Sequence, residues 1–395
     1  MKPLVVVSSV IANKPFNGGN ARMVLNWLEG LRQLGADVFF VEQIRSATCI
    51  DAMGAPAAAG ASANRAYFDA VIGSAGFAGH AALVCDAAET DAGLAGATIV
   101  GATAAELLDL ARDADLLVNI SGHLDIAALK ERFRRRTYID LDPGYTQLWH
   151  AQGSGAARLE GHDLYFTVGQ RVGTPACTLP TGGIDWQPIR QPIVLDGCLL
   201  TASGPEDRFT TVGSWRGAFA PMTHDGQAFG NKAHEFRMFA DLPRLAGRAF
   251  EVALDIHPGD SRDRRALVER GWTVVDPRVV AGTPDAYCTY IEGSAAEYSA
   301  AQGMYVKTQC GWFSDRTARY LASGKPALVQ NTGFSAPGRT GEGLLVFDTV
   351  DQAVHGVRDI ARDYRGHCEA ARWIAERYFD SRTQLGHLLE EARVS

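Results

Sequence analysis

The sequence predicts an α/β protein made of two doubly wound parallel-sheet domains and a helical tail. Three observations carry this. Short apolar runs bounded by turn residues alternate with amphipathic helical patterns in both halves of the chain, as strands buried on both faces require. The alternation breaks between Thr181 and Leu200, where Trp186-Gln187-Pro188-Ile189-Arg190-Gln191-Pro192 has two prolines and no period. At 395 residues the chain is also longer than one core serves well, so two domains are expected. They are placed at 1–185 and 195–375, with a last segment at 376–395.

In order along the first half, Leu4 to Val10 reads as a strand, Asn20 to Leu34 as a helix and Asp37 to Gln43 as a second strand. The Ala/Gly-rich stretch Ala52 to Ala63 reads as a loop. Strands are expected at Ala82 to Cys85, Asp115 to Ile120, Tyr138 to Leu141 and Leu164 to Val168, with helices at Ala104 to Arg112 and Ile126 to Arg135. After the break, strands are expected at Phe209 to Val212, Phe250 to Ile256 and Trp272 to Val275. Helices are expected at Lys232 to Ala240, Arg264 to Arg270, Ala286 to Ile291 and from Asp351 to the end.

Composition excludes several classes. The net charge of -7 and the lack of a basic stripe argue against a protein that binds duplex nucleic acid. Arg132, Arg134, Arg135 and Arg136 form the densest basic run, at the end of an expected helix, where cations suit the helix dipole. The seven cysteines are scattered, without Cys-x-x-Cys or Cys/His ligand spacing, so neither zinc nor a disulfide framework is expected. Leu4 to Ala12 is apolar but runs into Phe16-Asn17-Gly18-Gly19, a strand and its turn rather than a signal peptide. No apolar stretch approaches the ~20 residues of a membrane span, and a cytoplasmic protein is expected.

Met304 to Ser335 is the most informative segment. It reads as strand, Gly-rich turn, helix, Gly-Lys-Pro break and a second strand ending in Asn331-Thr332-Gly333. Ser314 and Asp315 fall at the expected helix start, with Arg316 and Arg319 behind them. A helix N-terminus at a strand's carboxyl end offers free N–H groups and a positive dipole end, which suits a phosphate. The order helix, Gly-x-Pro, apolar strand and small polar turn resembles the nucleotide-sugar-binding segment of GT-B glycosyltransferases. Gln309-Cys310-Gly311-Trp312-Phe313-Ser314 also resembles the His-Cys-Gly-Trp-Asn-Ser core of the plant secondary-product glycosyltransferase box, with Gln for His and Phe for Asn. The resemblance implies two Rossmann-like domains facing a cleft, with a last helix that crosses back to the first domain. An ordinary buried βαβ unit capped by Ser314 is the competing reading.

The resemblance implies a set of site residues. The turn Asn17, Gly18 and Gly19 would touch substrate, although a turn before a helix uses glycine for backbone reasons in any case. Without Gly-x-Gly-x-x-Gly it does not suit a dinucleotide. In the second domain the turn Gly213, Ser214 and Arg216 would approach a diphosphate, with Ser314, Asp315 and Arg316. Lys232 could reach the same group or be an ordinary surface charge at a helix start. His257 follows a strand at the end where open α/β sheets bind ligands. Asn331, Thr332 and Gly333 would contact sugar or ribose, and Glu342, in Gly341-Glu342-Gly343-Leu344-Leu345, would hold the ribose.

Many retaining GT-B enzymes carry two glutamates eight positions apart, and the matching places here are Gly311 and Arg319. An inverting reaction is therefore expected, with a base at a carboxyl strand end of the first domain. His123, in Asn119-Ile120-Ser121-Gly122-His123, and Asp142, in Tyr138-Ile139-Asp140-Leu141-Asp142, are the candidates, singly or as a pair. The reading is a hexosyltransferase-type enzyme that moves a sugar from a nucleotide-diphosphate sugar to an acceptor hydroxyl. Its donor is a co-substrate, and no further cofactor or metal is expected. A non-catalytic two-domain sugar or nucleotide binder, or a sugar-nucleotide epimerase of the same fold, is the alternative.

Overall fold

The computed structural model describes residues 2–87, 93–201, 208–334 and 341–394. Ser335, the last residue of the segment singled out above, lies outside them.

The first half runs β1 (Leu4–Ser8), α1 (Gly18–Gln33), β2 (Asp37–Ile44), α2 (Ala63–Ser74), β3 (Ala81–Cys85), β4 (Thr98–Val100), α3 (Ala104–Asp113) and β5 (Leu116–Ile120). It continues with α4 (Ala127–Lys130), β6 (Arg136–Asp140), α5 (Tyr145–Ala151), β7 (Leu164–Thr167) and β8 (Trp186–Pro188). The strands form one sheet in the order β4-β3-β2-β1-β5-β6-β7-β8, parallel except for the β3–β4 pair. The second half runs β9 (Phe209–Ser214), β10 (Met222–His224), β11 (Gln227–Phe229), α6 (Lys232–Met238), α7 (Leu242–Ala246), β12 (Phe250–Asp255), α8 (Ser261–Glu269) and β13 (Trp272–Val275). Then follow α9 (Pro277–Ala281), α10 (Pro284–Glu292), β14 (Ala296–Ser299), α11 (Gly303–Thr308), α12 (Asp315–Ala322), β15 (Ala327–Gln330) and β16 (Leu344–Phe347). The tail is α13 (Val350–Arg362), α14 (Tyr364–Tyr378) and α15 (Ser381–Glu391). The second parallel sheet has the order β13-β12-β9-β14-β15-β16.

Each sheet is covered on both faces, which explains its continuous apolar strands. Val5, Val7, Val38, Phe40 and Val118 meet Trp27, Leu28 and Leu31 of α1 in the first core. Burying side chains of this size contributes ~1.5–3 kcal/mol each. Leu385, Leu388 and Leu389 of α15 belong to the same core, and Ser381 N bonds Ile193 O at 2.9 Å, so the tail returns to the first domain. In the second core, Tyr298 of β14 packs among Phe236, Phe250, Trp272 and Phe347.

The doubly wound architecture is the one the sequence predicts, but some elements differ. Met304 to Thr308, expected as a strand, is helix α11: Thr308 Oγ1 donates to Met304 O at 2.7 Å, and Met304, Tyr305 and Thr308 are buried at helical spacing. The strand before it is β14, whose buried Glu297 masked the apolar pattern. Trp186–Pro188, read as linker, is the edge strand β8, where proline is tolerated. The expected helix Ile126 to Arg135 is cut to the single turn of α4, after which Arg134 and Arg136 pair with Asp115 and Asp163. Helix α2, strand β4 and the β10–β11 hairpin were not foreseen. The hairpin turns on Asp225-Gly226, both with positive φ, a strong two-residue turn signal.

Candidate active site

In the first sheet the chain moves outward from β1 to β2 and β3, then returns to place β5 on the other side of β1. Ligands bind at such a switch point, outside the carboxyl ends of the strands. A cavity of about 590 Å³ lies there, lined by the loops after β1, β2, β5 and β6 and by Ala218 and Phe219 of the second domain. Glu42, fully buried on β2, shapes its floor. Its carboxylate accepts the N–H groups of Ile11, Ala12 and Asn13, each at 2.8 Å, and so turns the chain to project Lys14 into the cavity. Burial pushes Glu42 up to about 7, against the pull of those three donors.

Two buried polar side chains fix the next wall. Asn119, at the end of β5, both accepts from Leu124 N and donates to Leu124 O, at 2.9 Å each. This holds the Ser121–Gly122 left-handed turn that presents His123. Asp140, at the end of β6, accepts from Asp142 N, Thr146 Oγ1, Gln147 Nε2 and Thr167 Oγ1. It is a structural post, and it leaves Asp142 to face the cavity with His123. The two candidate bases differ electrostatically. Burial, then the charges of Lys14 and Arg158, hold His123 down at about 3, so it is neutral at neutral pH and a weak base. Burial pushes Asp142 up to about 6, partly opposed by a hydrogen bond from Tyr305. A base is most effective when its pKa lies close to the working pH, which favours Asp142.

The second sheet has its own switch point, between β9 and β14. Arg316, from the first turn of α12, fills it. Its guanidinium donates to Glu297 Oε1 at 2.6 Å, Val212 O at 2.8 Å and Ser299 Oγ at 2.7 Å. It is a buried strut between strands, because Glu297 is fully buried and needs a counter-charge. Beside it, Lys232 lays its ammonium against Gly213: a Cβ there would stand 3.2 Å from Nζ. Burial, and then the charge of Arg316, push Lys232 down to about 7. Ser314 caps α12 by accepting Arg316 N at 3.2 Å. Asp315, its carboxyl raised chiefly by burial, is within electrostatic reach of both Lys232 and Lys14.

The two halves of the site touch. Tyr305 OH of α11 donates to Asp142 at 2.9 Å, and Tyr145 OH of α5 donates to Gln302 at 3.0 Å. Phe219 packs against Tyr145 and Trp149, with ring centroids 4.7 and 4.9 Å away. Gly18 lets α1 approach the second domain: a Cβ would lie 2.1 Å from Thr283 O. Gly19 meets the Tyr287 ring, while Asn17 caps α1 by accepting Asn20 N at 3.0 Å.

The remaining expected residues fall elsewhere. Ser214 closes β9, and the exposed Arg216 just beyond it is held by the buried Asp260 through two bonds at 2.7 and 2.6 Å. His257 is exposed and bonds Gly259 N, outside the cavity lining. Asn331, Thr332 and Gly333 form a turn closed on itself: Asn331 accepts Gly333 N, and Thr332 bonds Trp312 O and Gly311 N. None of the three lines the cavity. Glu342 does not line the cavity either. It precedes β16, at the amino end of a parallel sheet whose carboxyl ends face the other domain, so it lies on the side away from the cleft. Sequence reading missed Glu42, Lys14, Arg158 and Tyr305; the only signal was that Glu42 interrupts an apolar strand. Among the described residues, no group of three or more His, Cys, Asp or Glu could hold a metal, and no helix is long and apolar enough to cross a membrane.

No family model matches the chain, and no curated protein is similar to it in sequence. Solved structures do match over its whole length. An α-glucosyltransferase solved with UDP and a 13-mer DNA shares 10% identity, with a TM-score of 0.60 and 100% of both chains covered. HepE of Anabaena, solved with UDP and glucose, shares 12% identity at a TM-score of 0.57, covering 98% of this chain and 100% of its own. A glycosyltransferase from Rickettsia africae shares 11% identity at 0.56, with 99% and 98% covered. With two doubly wound sheets set carboxyl end to carboxyl end and the last helix returned to the first domain, the chain has the GT-B fold.

Proposed function

We propose that the protein is a glycosyltransferase that moves a hexosyl group from a nucleotide-diphosphate sugar to an acceptor hydroxyl with inversion. One observation carries this reading: Asp142, a carboxyl pushed up to about 6 chiefly by burial, faces a large cavity and lies within electrostatic reach of Asp315 at the start of α12 in the second domain. The fold is shared with structures solved with UDP, which supports a nucleotide donor at the second domain. Lys232 takes the diphosphate beside Gly213, where its ammonium and the Arg316 guanidinium flank the backbone. The acceptor oxygen attacks the anomeric carbon from the first-domain side, and Asp142 takes its proton. The anomeric C–O bond breaks, and the nucleoside diphosphate leaves with the electron pair. The donor is a co-substrate, and the step calls on no metal or other cofactor.

The test is incubation of purified protein with a panel of nucleotide-sugars, starting with UDP-hexoses, followed by mass spectrometry. Slow release of the nucleoside diphosphate is expected, with Asp142→Asn lowering transfer by ~10²–10⁴. A protein that binds these compounds and returns them unchanged is a carrier, and a product of retained anomeric configuration overturns the inverting step.

A further inference from the structure

The acceptor side of the cavity carries a cation that has no partner among the described residues. Arg158 lines the cavity and, among the described residues, makes no ion pair or side-chain hydrogen bond. Its backbone is left-handed, at φ 50 and ψ 39, in a loop where a glycine would be unstrained. Non-glycine residues persist in this region where the surroundings or a function hold them. The opposite turn is shaped to receive its stem: a Cβ on Gly122, itself at φ 64, would lie 2.8 Å from Arg158 Cβ.

The carboxylates of the wall are already engaged, and Arg45 has contacts of its own. Asp125 pairs with Lys130 at 2.8 Å, and Asp142 accepts from Tyr305. Lys14 lies within reach of both Asp142 and Asp315. On the floor Ser9, 1% exposed, has a hydroxyl with no hydrogen-bond partner among the described residues. Trp149 and Phe219 supply an aromatic face to the same cavity.

Building on the glycosyltransferase reading, we propose that the acceptor carries an anionic group, a carboxylate or a phosphate, which Arg158 binds while Ser9 and the Trp149–Phe219 face hold its body and its hydroxyl reaches Asp142. A planar guanidinium with five donors matches either anion by two parallel bonds. The neutral His123 ring, next to the same turn, adds a donor without a competing charge.

The experiment uses matched compounds and the whole protein saturated with nucleoside diphosphate. Binding of glycerol phosphate is compared with glycerol, and para-hydroxybenzoate with para-hydroxybenzyl alcohol, by calorimetry. At least one acidic member is expected to bind about tenfold or more tightly than its neutral partner, as a charge-assisted pair gives. The phosphate and carboxylate arms tell which anion is preferred. Arg158→Gly should abolish the preference while leaving the melting temperature equal or higher, because glycine relieves the left-handed backbone. Arg158→Lys should restore part of it. Equal binding of acidic and neutral members, no binding by any of the four, or a preference that survives Arg158→Gly overturns the proposal. Failure of the glycosyltransferase reading shows separately, as wild-type protein that neither binds nucleoside diphosphate nor releases it from a nucleotide-sugar.

Discussion

The phenol of Tyr305 donates a 2.9 Å hydrogen bond to Asp142 Oδ1, joining two residues 163 positions apart across the interdomain gap. Tyr305 is itself fixed by stacking on Trp312, with centroids 4.3 Å apart. This bond favours the ionised form of Asp142 and ties the end of β6 to α11 of the other domain.

This relationship predicts a pH shift. Asp142 must be ionised to accept a proton, so activity should fall as pH drops through about 6. Tyr305→Phe keeps the stacking but removes a bond that favours the carboxylate. The acidic limb of the kcat profile should then move upward by about one pH unit, the size of a modest charge-assisted bond. An unmoved limb would detach Tyr305 from the titration.

Lys232 predicts proton uptake on donor binding. With its ammonium pushed down to about 7, Lys232 is largely neutral at a pH of about 8. A bound diphosphate favours the charged form, so its pKa rises and a proton is taken from solution. Calorimetry in buffers of different ionisation enthalpy should show net uptake that Lys232→Met removes.

Arg316 and Arg216 should separate cleanly. Arg316→Ala leaves Glu297 buried without its counter-charge, and a loss of about 3–5 kcal/mol in urea unfolding is expected. Arg216→Ala removes the exposed partner of Asp260, a carboxylate at the protein edge rather than in the core, and should cost far less. Equal effects would mean that burial of Glu297 is not what Arg316 serves.

Gly18→Ala tests domain closure. The new methyl group would collide with Thr283 O, whereas Gly60→Ala meets nothing within 4 Å and serves as control. Turnover should fall in the first variant alone, with a larger radius of gyration by X-ray scattering and an intact first-domain core, because the collision lies at the domain boundary.

Sequence by itself determined the architecture. Val5 to Val7, Leu116 to Val118 and Leu328 to Val329 are continuous apolar runs because their strands are buried on both faces, and periodicity reports burial directly. It also placed Asp142 and His123 just after strands, at the carboxyl ends that line the cavity, since such ends of an open sheet share one side whatever their neighbours are. It misread Met304 to Thr308, where β-favouring residues form a helix because tertiary burial overrode propensity. Only the tertiary structure decided which charges are free. Arg316 and Arg158 look alike in sequence, yet the first is bound to Glu297 and the second has no partner among the described residues. The reason is physical: a charge's role depends on what lies within a few ångströms, and in the cleft those neighbours come from strands and domains far apart in the chain.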